Sequence, residues 1–153
     1  MGLFIQKTSY RIPGKKKTFV LGLFIWLIAL LLSMVIMGLL GIQPENTSEP
    51  WGINHPKYFQ FELLMIPTMV LLMFGFAYVF YTQCHLNTVL PMDIFTDGLI
   101  IMAIQFILDF IVFVVLTNSG LKYFYGLVTV GYLTIPIQWY LFVKILLIVK
   151  GES

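Results

Sequence analysis

The residues best placed to do chemistry in this chain are a carboxyl and a carboxamide set in an otherwise apolar run. From Asp97 to Thr117 the sequence reads DGLIIMAIQFILDFIVFVVLT, and between the opening Asp-Gly and the closing Thr only Gln105 and Asp109 are polar. As a helix, a run of that length crosses the hydrocarbon of a bilayer. Asp109 falls roughly 16 to 18 Å along it, which puts one carboxyl near the membrane midplane. Its i, i+4 spacing to Gln105 places both groups on one stripe, and that stripe must face protein or water rather than lipid.

A carboxyl at such a place suits two kinds of chemistry. In its neutral form it donates to a carbonyl or hydroxyl and ties helices together; with access to water it passes a proton or a cation. When the apolar runs are set antiparallel and counted at 1.5 Å per residue, Asp109, Thr68 and Thr134 come within a few Å of one level. Gln105 and Gln138 share a second level, roughly 10 to 12 Å from the cytoplasmic helix ends. Thr68 follows Pro67 and Thr134 precedes Pro136. Each proline removes a mid-helix backbone bond and frees a carbonyl, that of Leu63 or Tyr132, so both kinks are expected to face protein. The expected site is thus a buried polar core of Asp109, Gln105, Gln138, Thr134 and Thr68 between helix kinks at Pro67 and Pro136.

The stretch Gln83 to Asp97 holds the other reactive residue types, Cys84, His85, Asp93 and Asp97. Adjacent Cys and His ligate zinc only with a second pair at ligand spacing, which the sequence lacks, so neither a metal nor a cofactor is expected. Asp97 or Thr96 reads as the N-terminal cap of the third helix. Asp93, Asp97-Gly98 and Asp109 bear comparison with the spaced aspartates of membrane CDP-alcohol phosphotransferases, but the spacing is too wide, and Met102, Ala103 and Ile104 stand where polar ligands are needed. Small multidrug resistance transporters share only the number of passes, because their essential carboxylate lies in the first helix and here that helix has none. With no nucleophile and base in a common pattern, the reading is non-enzymatic.

The elements that must position these residues follow from composition. Of 153 residues 59% are hydrophobic and only 10% charged, against about a quarter charged in soluble domains. Four apolar runs, at about 18–41, 58–81, 97–117 and 123–149, make one transmembrane domain over 1–153. Nine basic and seven acidic residues are too balanced for a nucleic-acid surface. The basic segment 1–17, with Lys7, Arg11, Lys15, Lys16 and Lys17, is expected to lie on anionic lipid headgroups. The apolar run behind it is too long for a signal peptide and is followed by no small-x-small cleavage site, so it reads as an uncleaved anchor.

Four spans put both termini on one side. The N-terminal segment and the C-terminal Lys144 and Lys150 hold most of the basic residues, while the opposite side has only Lys57 and Lys122. Both termini are therefore expected in the cytoplasm, with the loops 42–57 and 118–122 outside. Trp51, Tyr58, Tyr123 and Tyr125 would form the outer aromatic belt, and Tyr78, Tyr81, Trp139 and Tyr140 the inner one. The external loop carries a glycosylation sequon at Asn46-Thr47-Ser48. Neither an internal repeat nor a GxxxG pair is present.

Gly98-Leu99, Leu108-Asp109-Phe110, Leu121-Lys122-Tyr123-Phe124 and Tyr132-Leu133-Thr134-Ile135-Pro136-Ile137 resemble, over about Thr96 to Lys150, a group of uncharacterised, small four-pass integral membrane proteins of archaea and bacteria. Gln105 stands where an aromatic residue is more usual in that group. The resemblance implies a four-helix fold and supplies no substrate. The expectation is an all-α membrane protein of the cell membrane: an antiparallel four-helix transmembrane bundle with both termini cytoplasmic. Its expected role is that of an accessory or assembly factor, its partner a second copy or another membrane protein. The alternative is a homo-oligomeric proton- or cation-coupled carrier or channel that uses Asp109.

Overall fold

In hydrocarbon every backbone N–H and C=O must find its partner within the chain, so long apolar runs fold as helices. The computed structural model describes residues 14–42, 56–81, 90–116, 121–124 and 127–150. Helix α1 spans Lys15–Leu39, α2 Tyr58–Tyr81, α3 Pro91–Asp109 and α4 Leu127–Val149. Beyond Asp109, α3 continues as a π-helix over Phe110–Leu116, and a 3-10 turn, Leu121–Phe124, stands before α4. Among the described residues four helices are long and apolar enough to cross a membrane, and there is no strand.

The start of α3 differs from the sequence expectation. Leu90 is extended and Pro91 opens the helix, because proline has a preset φ and no N–H to leave unbonded at the first position. Asp93 then occupies the first turn, where a carboxylate meets the positive end of the helix dipole. Asp97 is therefore no cap but a buried residue of the second turn, and Thr96 bonds back to the Met92 carbonyl at 2.6 Å. With its π extension the span covers 26 residues. Asp109 consequently lies within about 10 Å of its far end rather than at its middle.

α1 closes on Gly41, whose φ of 62° is the left-handed conformation that glycine adopts without strain. The Ile42 N–H bonds to the Met37 carbonyl and the Gly41 N–H to that of Gly38, the pair of bonds of a Schellman motif. Lys57 adds its ammonium to the carbonyls of Leu40 and Gly41. Ile42 packs with Ile36 and Phe61, which joins this end of α1 to α2.

α3 packs against α1 and α4, and α2 against α4 and α1. Along α1 and α3 the partners rise together: Thr18 with Asp97, Gly22 with Ile104, Trp26 with Asp109. Along α3 and α4 they run oppositely, Gly98 meeting Pro136 and Phe106 meeting Tyr132. The main core joins Ile25, Met73, Ile101, Tyr81, Trp139 and Val143. Trp139 and Tyr81 are fully buried and Tyr58 is 4% exposed, so these three are packing residues rather than members of interfacial belts. Trp139 is drawn inward because Gly98 leaves room for α4 to close on α3. Outward-facing positions such as Leu71, Val79 and Leu133 are apolar and exposed, as a lipid-facing surface requires.

Candidate functional site

The polar groups gather on the seam between α1 and α3, around two carboxylates. Asp97 is 1% exposed. Its Oδ1 accepts from the Thr18 hydroxyl at 2.9 Å and from the Lys15 ammonium at 3.0 Å, and its Oδ2 accepts from the Tyr81 hydroxyl at 2.7 Å. Lys15 also lies 3.8 Å from a carboxylate oxygen of Asp93. The first turn of α1, the last residue of α2 and the second turn of α3 thus meet at one carboxyl group. A buried carboxylate is tolerable only with its lone pairs occupied, and three donors supply that. Lys15 is half exposed, so its ammonium reaches the carboxylate from the surface of the helices while its stem lies along α1.

Asp109 is only partly buried. Its Oδ1 accepts from the Trp26 indole N–H at 2.7 Å, and its Oδ2 accepts from the Tyr132 hydroxyl. The rings of Phe106, Phe124 and Tyr132 pack edge-on or tilted beside it. The threonines expected to meet Asp109 do not: Thr68 bonds to the Leu64 carbonyl of its own helix and Thr134 to that of Gly131. The reason is geometric. In a helix a threonine hydroxyl reaches the carbonyl of the preceding turn without help from a neighbour, whereas indole and phenol extend far enough to span two helices.

The remaining expected residues divide. Gln105 is 4% exposed and donates to the Gly22 carbonyl at 3.2 Å, which places it on the seam, beside Asp109 on α3. Gln138 and Thr134 bond to each other on α4 and stand apart from both carboxylates. Pro136 is buried against Gly98, but Pro67 is exposed, contrary to the expectation that both prolines face protein. α2 makes its contacts through Phe61, Met73, Ala77 and Tyr81, and Pro67 lies on another side of the helix. Lys15, Lys16 and Lys17 are exposed in the first turn of α1. Lys7, Arg11, His55, Cys84, His85 and the sequon at Asn46 lie outside the described residues.

Between the carboxylates the seam is not polar throughout. Asp97 and Gln105 are about 12 Å apart along the helix axis, and the interval is packed with Ile25, Ile101 and Ile104, none more than 6% exposed. Glu62, 8% exposed in α2 beside the Tyr58 hydroxyl, is a further buried acid that lies off the seam.

Sequence reasoning missed the Asp97 cluster and the two donors to Asp109. A readable signal existed for the first: proline at position 91 with Asp93 two residues on marks a helix start, and that start moves Asp97 inside the helix. No comparable signal exists for Trp26 and Tyr132, since which aromatic residue reaches a carboxyl depends on how the helices are set side by side. Among the described residues no group of three His, Cys, Asp or Glu side chains could hold a metal. Among the described residues, then, the fold is helical, with four helices long and apolar enough to cross a membrane and two carboxylates bonded between helices. Comparison with protein-family models, curated proteins and solved structures finds no match to the chain.

Proposed function

We propose that the protein is a non-enzymatic, multi-pass component of the cell membrane, an accessory or assembly factor whose buried polar groups fix the packing of its helices. The observation that carries this reading is the use of both acids. Asp97 takes donors from α1 and α2, and Asp109 from α1 and α4, so each carboxyl links three helices. The isoleucine layer between Asp97 and Gln105 supports it further, because a proton relay along the seam would need polar groups or water there.

In this reading the chain is an antiparallel bundle with both termini cytoplasmic. Supporting that topology, Lys15, Tyr81 and Lys150 come together at one end of the bundle, and most of the Lys and Arg residues belong to the segments leaving that end. The basic first turn of α1 then rests on anionic headgroups.

Two measurements test the role. Tagged protein extracted from its native membrane in mild detergent should carry one heteromeric partner at fixed stoichiometry, and purified protein in vesicles should show no proton or cation flux above protein-free vesicles. Flux that disappears in Asp109→Asn would overturn the proposal in favour of a homo-oligomeric carrier or channel. That second reading is favoured by one feature: Asp109 is only partly buried, and the helix changes to π winding at the next residue, a winding frequent at functional sites.

A further inference from the structure

Gln138 occupies the middle of α4, about 16 Å from either end of the helix. It is partly exposed, as is Thr134, and Gly131 is exposed with open space where a side chain would begin. Spaced i, i+3 and i+7, the three residues form one stripe, flanked by the exposed Ile137 and Leu141. The stripe thus runs along the edge of the face that α4 buries, between Ile135 and Trp139 on one side and these exposed residues on the other, and its outer side borders hydrocarbon.

Within the stripe the Gln138 amide donates to the Thr134 hydroxyl at 2.9 Å, and that hydroxyl donates to the Gly131 carbonyl at 2.7 Å. A carboxamide has two N–H donors and a carbonyl with two lone pairs. The bond to Thr134 uses one donor. Among the described residues the other donor and the carbonyl oxygen make no hydrogen bond, a costly arrangement at mid-membrane depth.

We infer that this flank of α4 is a self-association surface at which a second copy of the chain pairs through Gln138. The choice of occupant follows from the chemistry of the group. A carboxamide is complementary to itself, so a two-fold axis beside Gln138 lets each amide donate to the other's carbonyl, an isologous contact. A carboxylate or an ammonium on a different partner would satisfy only one half of it. Gly131 admits the second helix closely, as small residues do at helix contacts in membranes. The principal neighbours of α4 are α3 and α2, so this pairing does not join the α1–α3 seams of two copies, and it gives self-association without bringing Asp109 to the contact.

The test is energy transfer between full-length chains labelled at Cys84, the single cysteine, in phosphatidylcholine vesicles over a range of protein-to-lipid ratios. The native chain should show transfer that falls on dilution in lipid. Gln138→Leu should weaken association about 3- to 30-fold, with helical content unchanged by circular dichroism. Gly131→Leu, which blocks close approach without touching the amide, should weaken it as well, and it decides the matter if Gln138→Leu does not fold. Thr68→Val, on α2, should have no effect. Transfer no greater than that of random collisions at every ratio overturns the inference, as does transfer unchanged in both α4 variants. Association that appears only when another membrane protein is added overturns it too.

Discussion

The hydroxyl of Tyr81 lies 2.7 Å from Oδ2 of Asp97, and this bond ties α2 to α3, two helices whose main packing partners are α1 and α4. Tyr81→Phe keeps the ring in the core and removes only the donor. Since the acceptor is a buried carboxylate, the expected loss of stability is about 1.5 to 3 kcal/mol, measurable by reversible unfolding in mixed micelles. An effect below about 0.5 kcal/mol would mean that the bond is not part of the folded state in a bilayer.

Lys15 and Thr18 share the other oxygen of Asp97, and their exposure separates their contributions. Lys15→Met removes a half-exposed partner, so it should cost no more than about 1 kcal/mol and less at high salt. Asp97→Leu leaves the Tyr81 and Thr18 hydroxyls buried without their acceptor and should cost several times more. Unfolding curves at low and high ionic strength check both the order and the salt dependence. Equal losses would show that the ammonium, not the hydroxyls, holds the carboxylate in place.

Two buried glycines at helix contacts, Gly98 of α3 against α4 and Gly22 of α1 against α3, face different obstacles. A Cβ at Gly98 would lie 2.7 Å from the Pro136 Cα, a backbone atom that cannot turn aside, whereas one at Gly22 would meet the Ile104 Cδ1 at 2.6 Å, the free end of a side chain. Gly98→Ala should therefore force α3 and α4 apart at a cost of about 1 to 3 kcal/mol, while Gly22→Ala is absorbed by a rotation of Ile104. Expression and thermal stability of the two variants give the comparison. Equal tolerance would place α4 farther from α3 than the Gly98–Pro136 contact requires.

Asp109 should behave as an acceptor whose removal is repaired by removing its donors. Asp109→Leu takes this acceptor from the Trp26 indole and the Tyr132 hydroxyl and should cost about 1 to 3 kcal/mol; adding Trp26→Phe and Tyr132→Phe should recover part of that loss, because an apolar replacement on both sides removes the groups that bonded the carboxyl. Stability of the single and triple variants measures this. If the triple variant is no better than Asp109→Leu alone, the two donors have partners other than this carboxyl.

What could be read from the sequence was the number of helices and their apolar character, because the hydrophobic runs are long and broken by Pro, Gly and Asn. Reading Gln105 and Asp109 as polar positions within a span needed only composition and spacing. Their partners could not be read in this way. Depth arithmetic compares levels along helices and is blind to rotation about their axes, so Thr68 and Thr134 appeared as neighbours of Asp109 although each turns to its own backbone. The same blindness put Trp139 and Tyr81 in an interfacial belt, when Gly98 admits one to the core and Asp97 binds the other. The Pro91 start of α3 was legible and decisive, since it moves Asp97 from a helix cap to a buried acid of the seam that takes three donors.

The closure of α1 has a practical consequence for altering the chain. Gly41 and Lys57 are clasped by the ammonium bonds to the Leu40 and Gly41 carbonyls, so the chain departs from and rejoins the bundle at a single point. Extra residues introduced between 43 and 55 should leave the helices in place, because the points where the chain leaves and rejoins the bundle already meet, and doubling the length of a flexible connection costs only about 0.6 kcal/mol in closure entropy. An epitope or a small folded reporter inserted there should leave the four helices undisturbed, and its accessibility to an impermeant protease would show on which side of the membrane that clasp stands.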